Sequence, residues 1–162
     1  MFIMKNYSSK QIDEKILDIQ KQWADGIVEI GKAYLDKKDY IKLAEKFIDN
    51  LYYFQNDKIL FKPTKASHKQ FRIKKNEFIS YFIGHNKISE EDIGFALEPW
   101  KNIHFENFDY TVFENILLTM GNYFFTNYDN ENIKVEYSFG YTFDDKENLK
   151  IVFHHSSIPY QI

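Results

Sequence analysis

Apolar residues early in the chain fall at Ile12, Ile16, Ile19, Trp23, Ile27, Ile30 and Tyr34. These steps of three and four mark one face of a long helix whose stripe should lie across a sheet. Ser8 or Ser9 can cap it, and Gln11 stands three residues after Ser8, as a capping box requires. Asp36 to Asp39 breaks the periodicity. A second helix follows with Tyr40, Leu43, Ala44, Phe47 and Leu51 on one side. A third, "EFISYFIG", can be capped by Asn76 and ended by Gly84, and it places Phe78, Tyr81 and Phe82 on a shared face. Ser89 with Asp92 has the spacing of a cap before a single turn.

From Trp100 onward the spacing changes to the alternation of strands. Strands are expected near 101–108, 113–126, 134–143 and 148–157, with "NYDNEN" and "DDKEN" as turns between the last three. A short strand at 58–61 follows the turn signal Gln55-Asn56-Asp57 and stops at Pro63. Loops this short make an antiparallel meander. Gly121 and Gly140 interrupt strands and suggest bulges, which sharpen curvature. The fold class is therefore α+β: N-terminal helices packed on a curved antiparallel sheet, a cone or open barrel, as one domain over 1–162.

The last strand, "LKIVFHHSSIP", holds the most chemistry. Side chains alternate, so Leu149, Ile151, Phe153, His155 and Ser157 share one face, and Lys150, Val152, His154 and Ser156 share the other. Lys150 belongs in water, which assigns the first set to the core. His155 and Ser157 would then stand at the rim of an apolar cavity, where small-ligand sites are found. The same residue types equally fit a surface turn near a chain end. A bulge of one residue would exchange Ser157 for Ser156 and, with it, His155 for His154.

Composition narrows the functions. Sixteen Phe, twelve Tyr and two Trp among 162 residues suit a curved sheet wrapped round a cavity. A net charge of −3 gives no case for nucleic acid or anionic membrane as partners. Lys65, His68, Lys69, Arg72, Lys74 and Lys75 form a local basic run that reads as a solvated loop or helix face. There is no cysteine, hence no disulfide or thiolate chemistry. No apolar run reaches membrane-spanning length, and "MFIMK" is too short for a signal-peptide core, so a cytoplasmic protein is expected.

No metal or other cofactor is expected. The five histidines include no His-x-His or His-Glu-x-x-His spacing, and adjacent His154 and His155 point to opposite faces. Phosphate-binding glycine loops are missing. Ser157 and His155 share a face, but no nucleophile elbow surrounds the serine.

The segments "LFKPTKA", "SYFIG", "GFALEPW", "MGNYFFTN", "VEYSFGYTF" and "FHHSSIP", in that order, resemble the iota class of carbonic anhydrases, a SnoaL-like family with the nuclear-transport-factor cone fold. The resemblance runs from about Trp23 to the C-terminus. It implies reversible hydration of carbon dioxide to bicarbonate without a metal. It implies that Thr64, Tyr81 and Ser157 hold bicarbonate oxygens and orient a water, and that His155 shares or relays its proton. Tyr137, Tyr141 and Phe153 would wall the cavity, Asn122 would add a polar contact, and Ser156 stands in if parity shifts. Pairing through the outer sheet face, as a homodimer, is also implied. Two alternatives share the fold: a SnoaL-like isomerase or dehydratase acting on a small organic ligand, and a non-catalytic oligomerisation or ligand-binding module.

Overall fold

A computed structural model describes residues 3–54 and 58–162. The turn read at Gln55-Asn56-Asp57 lies outside the described residues, as do Met1 and Phe2 of "MFIMK". Helix α1 spans Ser9–Leu35. Ser8 caps it: Ser8 Oγ accepts from Gln11 N at 3.3 Å, and Gln11 Oε1 accepts from Ser8 N at 2.9 Å. The predicted stripe is buried from Ile12 to Ile30, and Tyr34 emerges into solvent. Helix α2 spans Tyr40–Leu51 and buries Ala44, Phe47, Ile48 and Leu51.

Strand β1 is short, Leu60–Lys62, and helix α3 spans Lys75–Ile83. The α3 cap falls at Lys74, two residues before the expected Asn76, because Glu77 reaches back to the Lys74 N–H at 3.0 Å. Gly84 ends α3 in the left-handed region, φ 63°. The meander follows as β2 (Trp100–Phe113), β3 (Ile116–Asn127), β4 (Asn132–Phe143) and β5 (Leu149–Ser157). Strand β2 runs on to Phe113, past the expected end near 108, because Glu114 turns the chain at φ 57° with no glycine to announce it.

The sheet order is β1-β5-β4-β3-β2. The four long strands are antiparallel as expected. Strand β1 instead pairs parallel to β5, with Lys62 opposite His155, so the sheet is mixed. Its inner face and the helices enclose an aromatic core in which Trp23 meets Phe47, Phe82, Phe105, Tyr123, Phe125 and Phe139.

The two strand glycines stand opposite bulges and do not themselves bulge. Gly121 faces the register shift between Asn107 and Asp109, and a Cβ there would lie 2.2 Å from the Glu106 carbonyl oxygen. Gly140 pairs with Phe153 while Tyr141 pairs with Ile151, which leaves Val152 as the extra residue of β5.

Candidate active site

That extra residue decides which side chains enter the core. Ile151 points inward. Beyond Val152 the alternation resumes one residue late, so His154 and Ser156 are the buried pair, each 1 % exposed. The expectation that Phe153, His155 and Ser157 face the core is corrected: His155 is exposed, and Phe153 and Ser157 lie half-buried on the outer face. Asn122 shares that outer face, opposite Glu136, because Tyr123 beside it takes the inward position.

The inward residues form a continuous polar chain through the aromatic core. Trp23 Nε1 donates to the Tyr52 hydroxyl at 2.9 Å, and that hydroxyl meets His154 Nδ1 at 3.0 Å. The other imidazole nitrogen, Nε2, lies 3.0 Å from Ser156 Oγ and 3.3 Å from the Tyr123 hydroxyl. Ser156 Oγ and the Tyr123 hydroxyl are themselves hydrogen-bonded. Phe61 and Phe139 hold the imidazole between their rings, with centroids at 4.6 and 4.1 Å.

Two further groups, like Trp23 and Tyr52, come from outside the meander. Pro63 ends β1 and the next residue, Thr64, is half-buried beside the chain, with its side chain near the Tyr123 hydroxyl. Thr64 is the most exposed of the group and marks its mouth. Tyr81 on α3 accepts from the Lys65 backbone N–H at 3.3 Å, and among the described residues its phenolic hydrogen has no acceptor. Lys62 Nζ donates to the Ser156 carbonyl at 3.1 Å, where the β1 ladder has stopped.

Every member of this group is neutral. Burial, with a smaller contribution from His155, holds the His154 imidazole well below its usual pKa of 6.5. Burial pushes the Tyr81, Tyr123 and Tyr52 hydroxyls up. Such a cluster offers O–H and N–H donors in a dry setting, which suits the oxygens of a small anion. His155 outside is also lowered, by partial burial and then by Lys62.

The loop that carries Thr64 is held from below. Arg72, fully buried, grips Asp92 through both terminal nitrogens at 2.7 and 2.8 Å, and Ser80 donates to the same carboxylate. Glu91 accepts the backbone N–H groups of Ser67, His68 and Lys69. The basic run is therefore not wholly a solvated face, and Asp92 pairs with an arginine instead of capping a turn.

Of the sequence candidates, Thr64, Tyr81 and Ser156 are brought together. Tyr137 and Tyr141 face inward, but the Tyr137 hydroxyl is turned to Asn107 and lies 3.4 Å from Gln20 Nε2. Burial raises its pKa to about 12. Thr119 stands near both tyrosines, yet among the described residues its buried hydroxyl has no hydrogen-bond partner. Sequence reasoning left open which of His154 and His155 faces inward, and it did not single out Tyr123, Tyr52 or Trp23, which the structure places in this polar chain. The alternation of Tyr123 with Phe125 was the available signal for one of them.

Among the described residues no cluster of three His, Cys, Asp or Glu is arranged to hold a metal ion, and no helix is long and apolar enough to cross a membrane. A family model described as metal-independent carbonic anhydrase matches residues 14–158. A metal-independent carbonic anhydrase of Nostoc sp. strain PCC 7120 is 36% identical over 152 residues, covering 92% of this chain and 74% of that protein. The crystal structure of a cyanobacterial iota-carbonic anhydrase complexed with bicarbonate superposes with a TM-score of 0.87 at 35% identity, over 92% of this chain and 93% of that one. A nuclear transport factor 2-like protein from Salmonella enterica, 10% identical with a TM-score of 0.59 over 95% of each chain, shares the fold alone.

Proposed function

This chain belongs to the metal-independent carbonic anhydrase family, and from that premise we propose that Thr64, Tyr81, Tyr123, His154 and Ser156 carry its reversible hydration of carbon dioxide. The observation that carries the reading is the convergence of these hydroxyls and one neutral imidazole inside an otherwise aromatic interior. Water oxygen attacks the carbon of carbon dioxide, one O–H bond breaks, and bicarbonate and a proton result. The hydroxyls donate to the oxygens that gain negative charge, where preorganised donors count most. Thr64, at the mouth, orients the attacking water, and the proton leaves to solvent on that side. Zinc lowers the pKa of bound water from 15.7 to about 7, which neutral hydroxyls do not do. Positioning must supply the rate instead, and turnover should be modest beside that of zinc carbonic anhydrases.

Stopped-flow hydration by chelator-treated protein tests this. Ser156→Ala and Thr64→Ala should each lower kcat/KM by about 10²-fold. Ser157→Ala, on the outer face, should stay within about twofold of the parent, since surface substitutions away from such features do little. Equal losses in Ser156→Ala and Ser157→Ala would sink the assignment. An isomerase or dehydratase would need a carboxylate in the interior, and the polar groups beside Tyr137 are Gln20, Thr119 and, from the more exposed rim, Asn107, with Glu136 exposed.

Homodimerisation belongs to the same reading. The outer sheet face bears a groove of about 510 Å³ lined by Phe108, Met120, Asn122, Phe153, His155 and Ser157, with Phe108 82 % exposed. A second copy would cover these apolar groups. A cytoplasmic setting fits a chain without cysteine, and fractionation of the native cells tests it.

A further inference from the structure

We infer that Trp23 and Tyr52 are positioning residues that fix His154 in the tautomer with its hydrogen on Nε2, so that the imidazole faces the site as a donor. The inference rests on the reading of the site just given, and it follows from counting hydrogens. Indole nitrogen only donates, so the Tyr52 oxygen accepts from Trp23 Nε1. Tyr52 then has one hydrogen to place, and among the described residues its one other partner is His154 Nδ1. Nδ1 accepts it, and the imidazole hydrogen must sit on Nε2, 3.0 Å from Ser156 Oγ.

The count continues through the site. His154, Ser156 and Tyr123 are joined by imidazole-to-serine and serine-to-tyrosine contacts, and the longer imidazole-to-tyrosine approach at 3.3 Å draws on the same Nε2 position and so adds no separate donor. With Nε2 protonated the trio holds three hydrogens, and two contacts use two of them. One hydroxyl hydrogen is left for the substrate side, toward Thr64. With Nε2 bare the trio holds two hydrogens, both are used, and the site presents lone pairs. The Trp23–Tyr52 pair thus decides whether the pocket donates to bicarbonate or competes with it. The imidazole is not the base that strips the attacking water, because its site-facing nitrogen already carries a hydrogen. Tyr52 cannot release its own hydrogen to refill Nδ1, since burial raises its pKa well above the ordinary phenol value.

Nitrogen-15 NMR of histidine-labelled protein tests this directly, with His154 assigned by its loss in His154→Gln. The expected spectrum has a proton bonded to Nε2 and a bare Nδ1 at neutral pH. Tyr52→Phe should mix the two tautomers and lower kcat/KM for bicarbonate dehydration by about tenfold, the lower end of the range seen when the partner that orients a metal-ligating imidazole is removed. A proton on Nδ1 in the parent overturns the inference. So does a Tyr52→Phe protein that keeps both the tautomer and the rate. The parent spectrum decides the matter even if the variant fails to fold. A folded parent with the expected spectrum and no hydration activity would overturn the functional reading and leave the tautomer established.

Discussion

At the scale of the residue, His154 shows how burial selects a role. A histidine between two phenylalanine rings and 1 % exposed cannot hold charge cheaply, and its pKa falls. The sign of the resulting pH dependence follows. An unfolded histidine takes up a proton as the pH falls through about 6.5, and the folded one does not. Stability is therefore full above about pH 6.5 and declines below it, by up to about 1.4 kcal/mol per pH unit from this group. Urea titrations at about pH 7.5 and about pH 5.5 should show that loss in the parent and a flatter response in His154→Gln. The same neutrality predicts a hydration rate with no limb due to His154 between about pH 6.5 and about pH 8. A break in that interval that vanishes in His154→Gln would contradict it. Adjacent His155, separated by one peptide unit, is exposed, so its type and neighbours in the sequence carry no hint of the difference.

At the scale of the element, the loop between β1 and α3 puts a threonine into a proposed site otherwise made of strands and helices. Its anchor is the buried Arg72–Asp92 pair, assisted by Glu91. Asp92→Ala would leave a guanidinium buried without its partner, at a cost of about 3–5 kcal/mol. Denaturant midpoints should register that cost, and hydration should fall with it because Thr64 loses its support. A midpoint unchanged from the parent would show that the pair is not the anchor. Glu91 adds a pH signature. Burial pushes its carboxyl up, but the three backbone N–H groups and Ser67 more than offset this and hold it at about 2. Its contribution is thus present above about pH 4.5 and is lost as the pH falls toward about 2. Glu91→Gln should remove that part of the acid response in backbone hydrogen exchange of residues 67–69. The sequence showed the basic run but not the burial of Arg72 within it, since the acid partner lies twenty residues away. The bulge at Val152 is the other element-level lesson. Gly140 signalled irregularity, but which strand takes the extra residue depends on how two strands align.

At the scale of the molecule, the mixed sheet and the helices leave one broad face uncovered, with Phe108, Leu118 and Met120 outward. If two copies meet there, Met120→Glu should shift sedimentation from dimer to monomer while the parent stays dimeric. Activity per chain should be retained, because the site opens on the opposite side of the sheet. A monomeric parent would remove this face from consideration as a self-interface. Some of the molecule was written in local spacing. Periods of 3.6 and 2 gave three helices, then strands, and the order of motifs gave the family, because these depend on near neighbours along the chain. The inward positions of Thr64, Tyr81, Tyr137 and Tyr141 also followed from local pattern or from that resemblance. The parallel pairing of β1, the salt bridge under the loop and the choice of His154 with Ser156 over His155 with Ser157 came only with the tertiary structure. Each depends on contacts between segments far apart in sequence, and a shift of one residue in strand register turns every later side chain to the other face.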